Sequence, residues 1–472
     1  MLVFRFFLVL VLSCLFNTPL NAQLKNNTIL NIDNPSFRKL VVAIPDFEVP
    51  ANDKQFTEYL DQVNSEFPAL FQFTGFFTVI GKAAFAEKKE LKNKTDEVQF
   101  WKMIGVDTVV RGKFLKNGKQ TKLEFTGLDV YRGKPLEKKH YVVNSGNELN
   151  RAFKQYIDYL LEIYTGKPGI FQSKIVFAGR EKLSSPRQIY ICEPDGTNVQ
   201  QITKEKVHHI SPSWHPSGNK IVFTSYESGT PNIYLYDLHT KVKIPFPGLV
   251  VRRGIQNSGG KFAPQGNLMA YTQISEGTDL KPPSSDIYIV GMPGTAKNTK
   301  ARPLITGVGI NVDPVFSPDG KWLVYASGRY GTPQLFRAEL VWNEDYTDVK
   351  VKSELRLTFA KEGALNTMPS WSPDSQKIVF TILDRDIKLF DIFMMNFDGS
   401  KLERLTLQKT DGANKSPSFS PNGQLIIFHS SRLGGRNQLH MMTQNSTEQR
   451  IIPTGLYDAE DPKWGPYMKK GD

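Results

Sequence analysis

Apolar and polar positions alternate over short stretches through the C-terminal two thirds of the chain, and one phrase keeps returning. It reads SPSWHPSGNKIVFTS at 211–225, GGKFAPQGNLMAYTQ at 259–273, DPVFSPDGKWLVYAS at 313–327, MPSWSPDSQKIVFTI at 368–382 and SPSFSPNGQLIIFHS at 416–430. A truncated copy, DPKWGP, stands at 461–466. Each copy predicts a short strand ending on Trp or Phe, a Pro-centred turn, and an alternating strand such as 220–224. A third strand (233–238 in the first copy) and a weaker outer one follow. The second proline falls at Pro216, Pro264, Pro318, Pro373, Pro421 and Pro466, giving spacings of 48, 54, 55, 48 and 45. That period is close to the ~40–50 residues of a propeller blade. Residues 174–178, 188–192 and 199–203 read as the second, third and fourth strands of a blade without its first, and 461–464 as a first strand with nothing after it. Joined, they close a ring of six blades and leave no free sheet edge.

Upstream, the periodicity changes. Strands are predicted at 38–44, 76–80 and 108–114, and a hairpin pairs 122–131 with 136–143 across Arg132-Gly133-Lys134. Apolar residues at helical spacing (Phe56, Tyr59, Leu60, Val63, Phe67, Leu70) predict a helix over 54–73, with Pro68 as a late break. A short helix is predicted at 98–104. A longer one runs over 149–164, where Leu149, Ala152, Phe153, Tyr156, Ile157, Leu160, Leu161 and Tyr164 share a face and Gly166 caps the end. The fold class is therefore a six-bladed β-propeller (169–472) preceded by an α/β domain (37–168) across a short hinge.

Composition narrows the function. The first 22 residues carry Arg5, an apolar run from Phe6 to Phe16 and a polar end, which predicts a secretory signal cleaved between Ala22 and Gln23. Residues 23–36 form a polar arm expected to be mobile. Cys14 partly resembles a lipidation site, but Leu12 fits poorly and apolar residues continue past it. Cys192 is the one other cysteine, so no disulfide or Cys-based zinc framework is expected in the mature chain. The net charge of +12 is spread without basic runs or aromatic interleaving, which argues against nucleic acid as a partner.

The repeat Pro369-Ser-Trp371-Ser-Pro373-Asp374, the helix end Tyr164-Thr165-Gly166 leading to Ser173-Lys-Ile-Val-Phe177, and Trp101-Lys-Met-Ile-Gly105-Val-Asp107 together resemble the TolB family, exported propeller proteins of the Tol–Pal envelope system. The resemblance runs over essentially the whole mature chain. It implies a periplasmic, non-catalytic scaffold without cofactor, which supports outer-membrane integrity and constriction at division. Its implied partners are the lipoprotein Pal on the propeller and TolA on the N-terminal arm, with peptidoglycan and the outer membrane reached indirectly.

In a propeller, the loops entering each first strand and those joining second to third strands gather at one mouth of the channel, the default place to bind. The entering residues are polar and mostly uncharged, and His208, Gln256, Asn257, Gly259, Asn311 and Asn366 are the expected partner contacts. His208-His209 with His215 lacks a carboxylate at a ligand-like interval, so no metal site is expected. The alternatives are a propeller enzyme of the polysaccharide-lyase kind and a stand-alone envelope sugar or peptide binder. A lyase would need a channel-facing cluster of His, Arg and carboxylates, and a peptidase a G-x-S-x-G elbow, which is absent.

Overall fold

The computed structural model describes residues 38–50, 55–85, 94–118, 120–277, 282–295, 299–359, 363–384, 388–407, 412–446 and 448–468. The expected signal, its cleavage point at Ala22 and Gln23, and the 23–36 arm lie outside these residues.

The repeats fold as six four-stranded antiparallel sheets. Their inner strands are His209–Trp214, Ile255–Phe262, Asn311–Phe316, Leu365–Trp371, Asn414–Phe419 and Asp458–Trp464, which we assign to blades 1 to 6. Blade 6 is composite: Asp458–Trp464 pairs with Ile175–Arg180, followed outward by Gln188–Cys192 and Gln200–Gln201. Consecutive inner strands touch, and that of blade 6 touches that of blade 1, so the ring is closed by the two ends of the propeller chain.

One backbone device recurs in every blade. Ser211, Gly259, Asp313, Met368, Ser416 and Asp461 all have positive φ, between 52° and 68°, and at each the inner strand slips register against its neighbour. This bulge explains the motif, because the proline that follows in five of the six copies needs no ladder hydrogen bond there. The terminal Trp or Phe of each inner strand is buried. Trp214 and Trp371 also donate their indole N–H to backbone carbonyls of the preceding blade, at Lys463 and Val315.

In the α/β domain, β1 (Leu40–Ala43) lies parallel between β2 (Phe77–Val79) and β3 (Thr108–Asn117), and β4 (Gln120–Asp129) runs antiparallel to β3. The predicted second hairpin strand is split into β5 (Lys134–Pro135) and β6 (Lys139–Val142), both on β4. Helices α1 (Gln55–Phe73) and α3 (Gly146–Thr165) pack together, while α2 (Lys94–Met103) supplies Trp101 to a smaller cluster. Pro68 does not break α1, contrary to expectation. Leu70 and Phe71 beyond it are buried, and two such side chains at about 1.5–3 kcal/mol each offset the ~3 kcal/mol cost of an internal proline. Helix α3 is capped by Ser145, whose Oγ accepts the Glu148 N–H, and the Glu148 carboxylate accepts the N–H of Asn144 just before the cap. It ends on Gly166 at φ 69°.

The two domains share one core. The cluster around Phe67, Phe125, Phe153 and Tyr156 continues through Ile170 into Phe177, Ile427, Met441 and Trp464 of blades 5 and 6. Polar contacts add to it, with Lys154 ion-paired to Glu193 and Asp195, Lys39 to Glu448, and the Asn422 amide on the Pro168 carbonyl. These propeller partners lie in turns between first and second or third and fourth strands. The α/β domain therefore covers the propeller end opposite the loops that enter the inner strands. A cleft of about 1110 Å³ with mixed polar and apolar walls runs beside this junction. Among the described residues no helix is long and apolar enough to cross a membrane.

Candidate partner-docking face

The free end of the propeller is built from loops entering the inner strands and loops joining second to third strands. The sequence-predicted contacts divide into two kinds there. Asn257, Asn311 and Asn366 are fully buried. Asn257 donates to the Asn232 side chain and the Val250 carbonyl, Asn366 donates to Gln334 Oε1 at 3.2 Å, and Asn311 accepts from Ser327 at 2.8 Å. Asn414 occupies the same place in blade 5 and donates to Asp391; in blade 6 that place is Ala459, and Asp458 beside it accepts the Asn437 N–H. In most blades these groups tie an inner strand to the preceding blade; Asn311 bonds within its own. The amides satisfy buried polar groups, and an incoming protein would not meet their side chains directly. Their burial has a physical reason: a residue at the mouth of an inner strand faces the neighbouring blade before it faces solvent.

Gly259 is the glycine among the six bulge residues, and a Cβ there would meet nothing within 4 Å. Its place follows from backbone conformation. Gln256 is half-buried. His208 is exposed; its Nδ1 accepts the Arg187 N–H at 3.1 Å, its ring lies edge-on to Tyr226, and burial together with Arg187 and Arg180 holds its pKa below the usual range.

Among the side chains the face does expose, many are apolar. Leu183, Tyr226, Val250, Val251, Val308, Ile310, Tyr330, Phe359, Leu407 and Leu433 all lie in these two sets of loops and are solvent-exposed, Val308 by 83%, Phe359 by 74% and Tyr330 by 67%. Arginines stack among the rings, with Arg356 over Tyr330 and Phe359, and Arg436 over Tyr457 at 4.4 Å. Exposed aromatic and aliphatic side chains set among arginines are the composition of interface centres. Reading the entering residues as a polar groove missed this set. The signal available was Tyr226 and Tyr330, each just beyond the end of a second strand.

Two charged clusters complete the picture. Where the inner strands face the channel, Lys261, Asp313, His429, Asp461 and Lys463 interact. The Asp461 N–H donates to His429 Nδ1 and its carboxylate pairs with Lys463 at 3.0 Å. Burial pushes His429 down to about 3 and Lys261 down to about 8. Burial would raise Asp461, but Lys463 and Lys261 outweigh it and hold the carboxyl at about 2. The second cluster joins His209 to Glu205 and Glu227 on the loop face. Sequence spacing did not reveal it, since Glu227 arrives from a separate loop. His215 is elsewhere, engaged with Ser217 and the Gly266 carbonyl, so the three histidines of the sequence reading do not meet.

Comparison with known proteins agrees with this architecture. Residues 161–468 match the family described as the TolB beta propeller domain, and residues 28–136 the TolB amino-terminal domain. A Tol-Pal system protein TolB of Desulfosudis oleivorans is 29% identical over 276 residues, 58% of this chain and 60% of that protein. One from Bordetella pertussis is 28% identical over 328 residues, 68% of this chain and 67% of that protein. The match thus spans less than two thirds of the first relative's length. The crystal structure of TolB from Acinetobacter baumannii superposes with a TM-score of 0.71 at 23% identity, covering 91% of this chain and 97% of that one. Propeller motif, composite sixth blade and α/β domain come together in one assignment: the chain belongs to the TolB family.

Proposed function

We propose that this protein is a non-catalytic periplasmic scaffold of the Tol–Pal envelope system, which docks the lipoprotein Pal on the free loop face of its propeller. In the same reading the 23–36 arm engages TolA, and the assembly supports outer-membrane integrity and constriction at division. The observation that carries the proposal is the crowding of exposed apolar and aromatic side chains onto the one propeller end that the α/β domain leaves uncovered. Monomers seldom leave so much apolar surface together without a partner for it. The names of the relatives, Tol-Pal system proteins, supply the setting.

The test is capture of the purified periplasmic part of Pal by the mature protein. The double variant Tyr330→Glu, Phe359→Glu should weaken capture by roughly tenfold or more, as expected for aromatic anchors, while the melting temperature stays near the parent's. Failure of the parent to bind Pal, or full binding by the double variant, overturns the reading.

A further inference from the structure

We propose that His209, Glu205 and Glu227 form a site for a borderline divalent cation of the Zn²⁺ class, which pins the loop entering blade 1 to the loop joining its second and third strands. Glu205 stands in the first loop, between Gln200–Gln201 and His209, and Glu227 in the second, just after Lys220–Ser225. The three ligand atoms lie within 4.8 Å of one another.

The geometry suits a small tetrahedral ion. His209 Nε2 is 3.1 Å from Glu205 Oε2 and 3.7 Å from Glu227 Oε1. Bonds of about 2.0–2.2 Å at tetrahedral angles separate neighbouring ligands by roughly 3.3–3.5 Å, so one ion bridges these atoms with small adjustments. One imidazole nitrogen with two carboxylates is a donor set for zinc and its neighbours, and too poor in oxygen for calcium.

Two further observations point to a missing ligand. The His209 side chain is completely buried and neither ring nitrogen makes an aligned hydrogen bond, although Nε2 lies 3.1 Å from Glu205 Oε2 and 3.7 Å from Glu227 Oε1. A buried imidazole without partners is costly, and coordination would satisfy one nitrogen. The position also departs from its equivalents: blades 2 to 5 place Asn257, Asn311, Asn366 and Asn414 there.

The carboxylates already attract a cation. Lys243, from the outer strand of blade 1, pairs with both Glu205 and Glu227. Two carboxylates and one ammonium leave one negative charge uncompensated. The Lys243 stem is long enough for its head to withdraw toward solvent when an ion enters. Outer contacts hold the carboxylates in place, with the Lys204 N–H on Glu205 at 3.0 Å and the Ser225 hydroxyl on Glu227 at 3.4 Å.

Calorimetric titration of the metal-free mature protein with Zn²⁺ tests the site, alongside melting curves with and without the ion. The parent should bind one tight equivalent and melt higher with it. His209→Asn, which restores the residue of the other blades and so should fold, is expected to weaken binding by at least roughly tenfold. Glu227→Gln, on a solvent-reached loop, is expected to do the same. Lys243→Met removes the resident cation and should tighten binding. Absence of Zn²⁺ binding in both the parent and Lys243→Met overturns the proposal. So does undiminished binding in His209→Asn, or a response to Mg²⁺ in place of Zn²⁺.

Discussion

The α/β domain concentrates its stability in one aromatic core, whereas the propeller distributes its own over six seams. Phe125 stacks on Tyr156 at 4.2 Å, Phe67 on Phe153 at 4.5 Å, and Phe47 packs edge-on against both Phe67 and Phe125. In the propeller, each seam is a modest aliphatic cluster shared by neighbouring blades, as Val222, Ile233, Phe262 and Tyr271 are by blades 1 and 2. At the loop end each seam finishes in a polar position such as Asn366 or Asn414. The sixth seam, between blades 5 and 6, is absorbed into the α/β core. The difference explains where apolar surface is left over. Seams sealed by polar groups do not need their loops for stability, so those loops can carry Tyr330, Phe359 and Val308 outward.

The sharpest way to break the comparison is to unlatch the ring. Removing residues 458–472 deletes the inner strand of blade 6 together with Asp458, which pairs with Arg180 and Arg187. Loss of cooperative unfolding in the whole propeller is expected in denaturant melts, because every other blade packs on two neighbours. A truncated protein with parental unfolding would show that the latch is dispensable.

Paired single substitutions sharpen it next. Phe125→Ala should cost about 3–5 kcal/mol, since it opens a cavity at the centre of the aromatic stack. Asn366→Ala should cost about 1–2 kcal/mol, the value of one buried amide tie. Equal costs in chemical denaturation would mean that the two regions are not held differently after all.

The smallest expected effect is a contrast in pH response. Burial in the propeller holds His429 at about 3, below its usual 6.5, so only the unfolded chain takes up this proton between those values. Stability from His429 is therefore present above about 6.5 and lost as pH falls toward 3. Asp158 of α3, near the hinge, has the opposite sign. Burial, partly offset by the Phe171 N–H, raises it from 3.8 to about 7, so its contribution is present below 3.8 and lost as pH rises through about 7. His429→Gln should remove a loss of stability on acidification below about 6.5, and Asp158→Asn a loss on raising the pH from 3.8 to about 7, two opposite slopes each on the order of 1 kcal/mol or more. Profiles that move together would remove the contrast.

Sequence alone determined the number of blades, their strands, the composite sixth blade and the two-domain division. These follow from short-range rules: alternation marks strands, proline and glycine mark turns, and a repeated phrase must fold the same way each time. The buried face of α3 was legible for the same reason, being a periodicity within one helix. What only the tertiary structure decided was which loop residues face water. Asn257, Asn311 and Asn366 look like surface residues by type, yet they are buried, Asn257 and Asn366 bonded to the preceding blade and Asn311 within its own. Tyr330 and Phe359 look like core residues, yet they project from the free end. Likewise Glu227 meets His209 only because a hairpin returns it, and Pro68 stays helical only because Leu70 and Phe71 find a core. Local pattern fixes what an element is; contact with distant elements fixes what each of its side chains can touch.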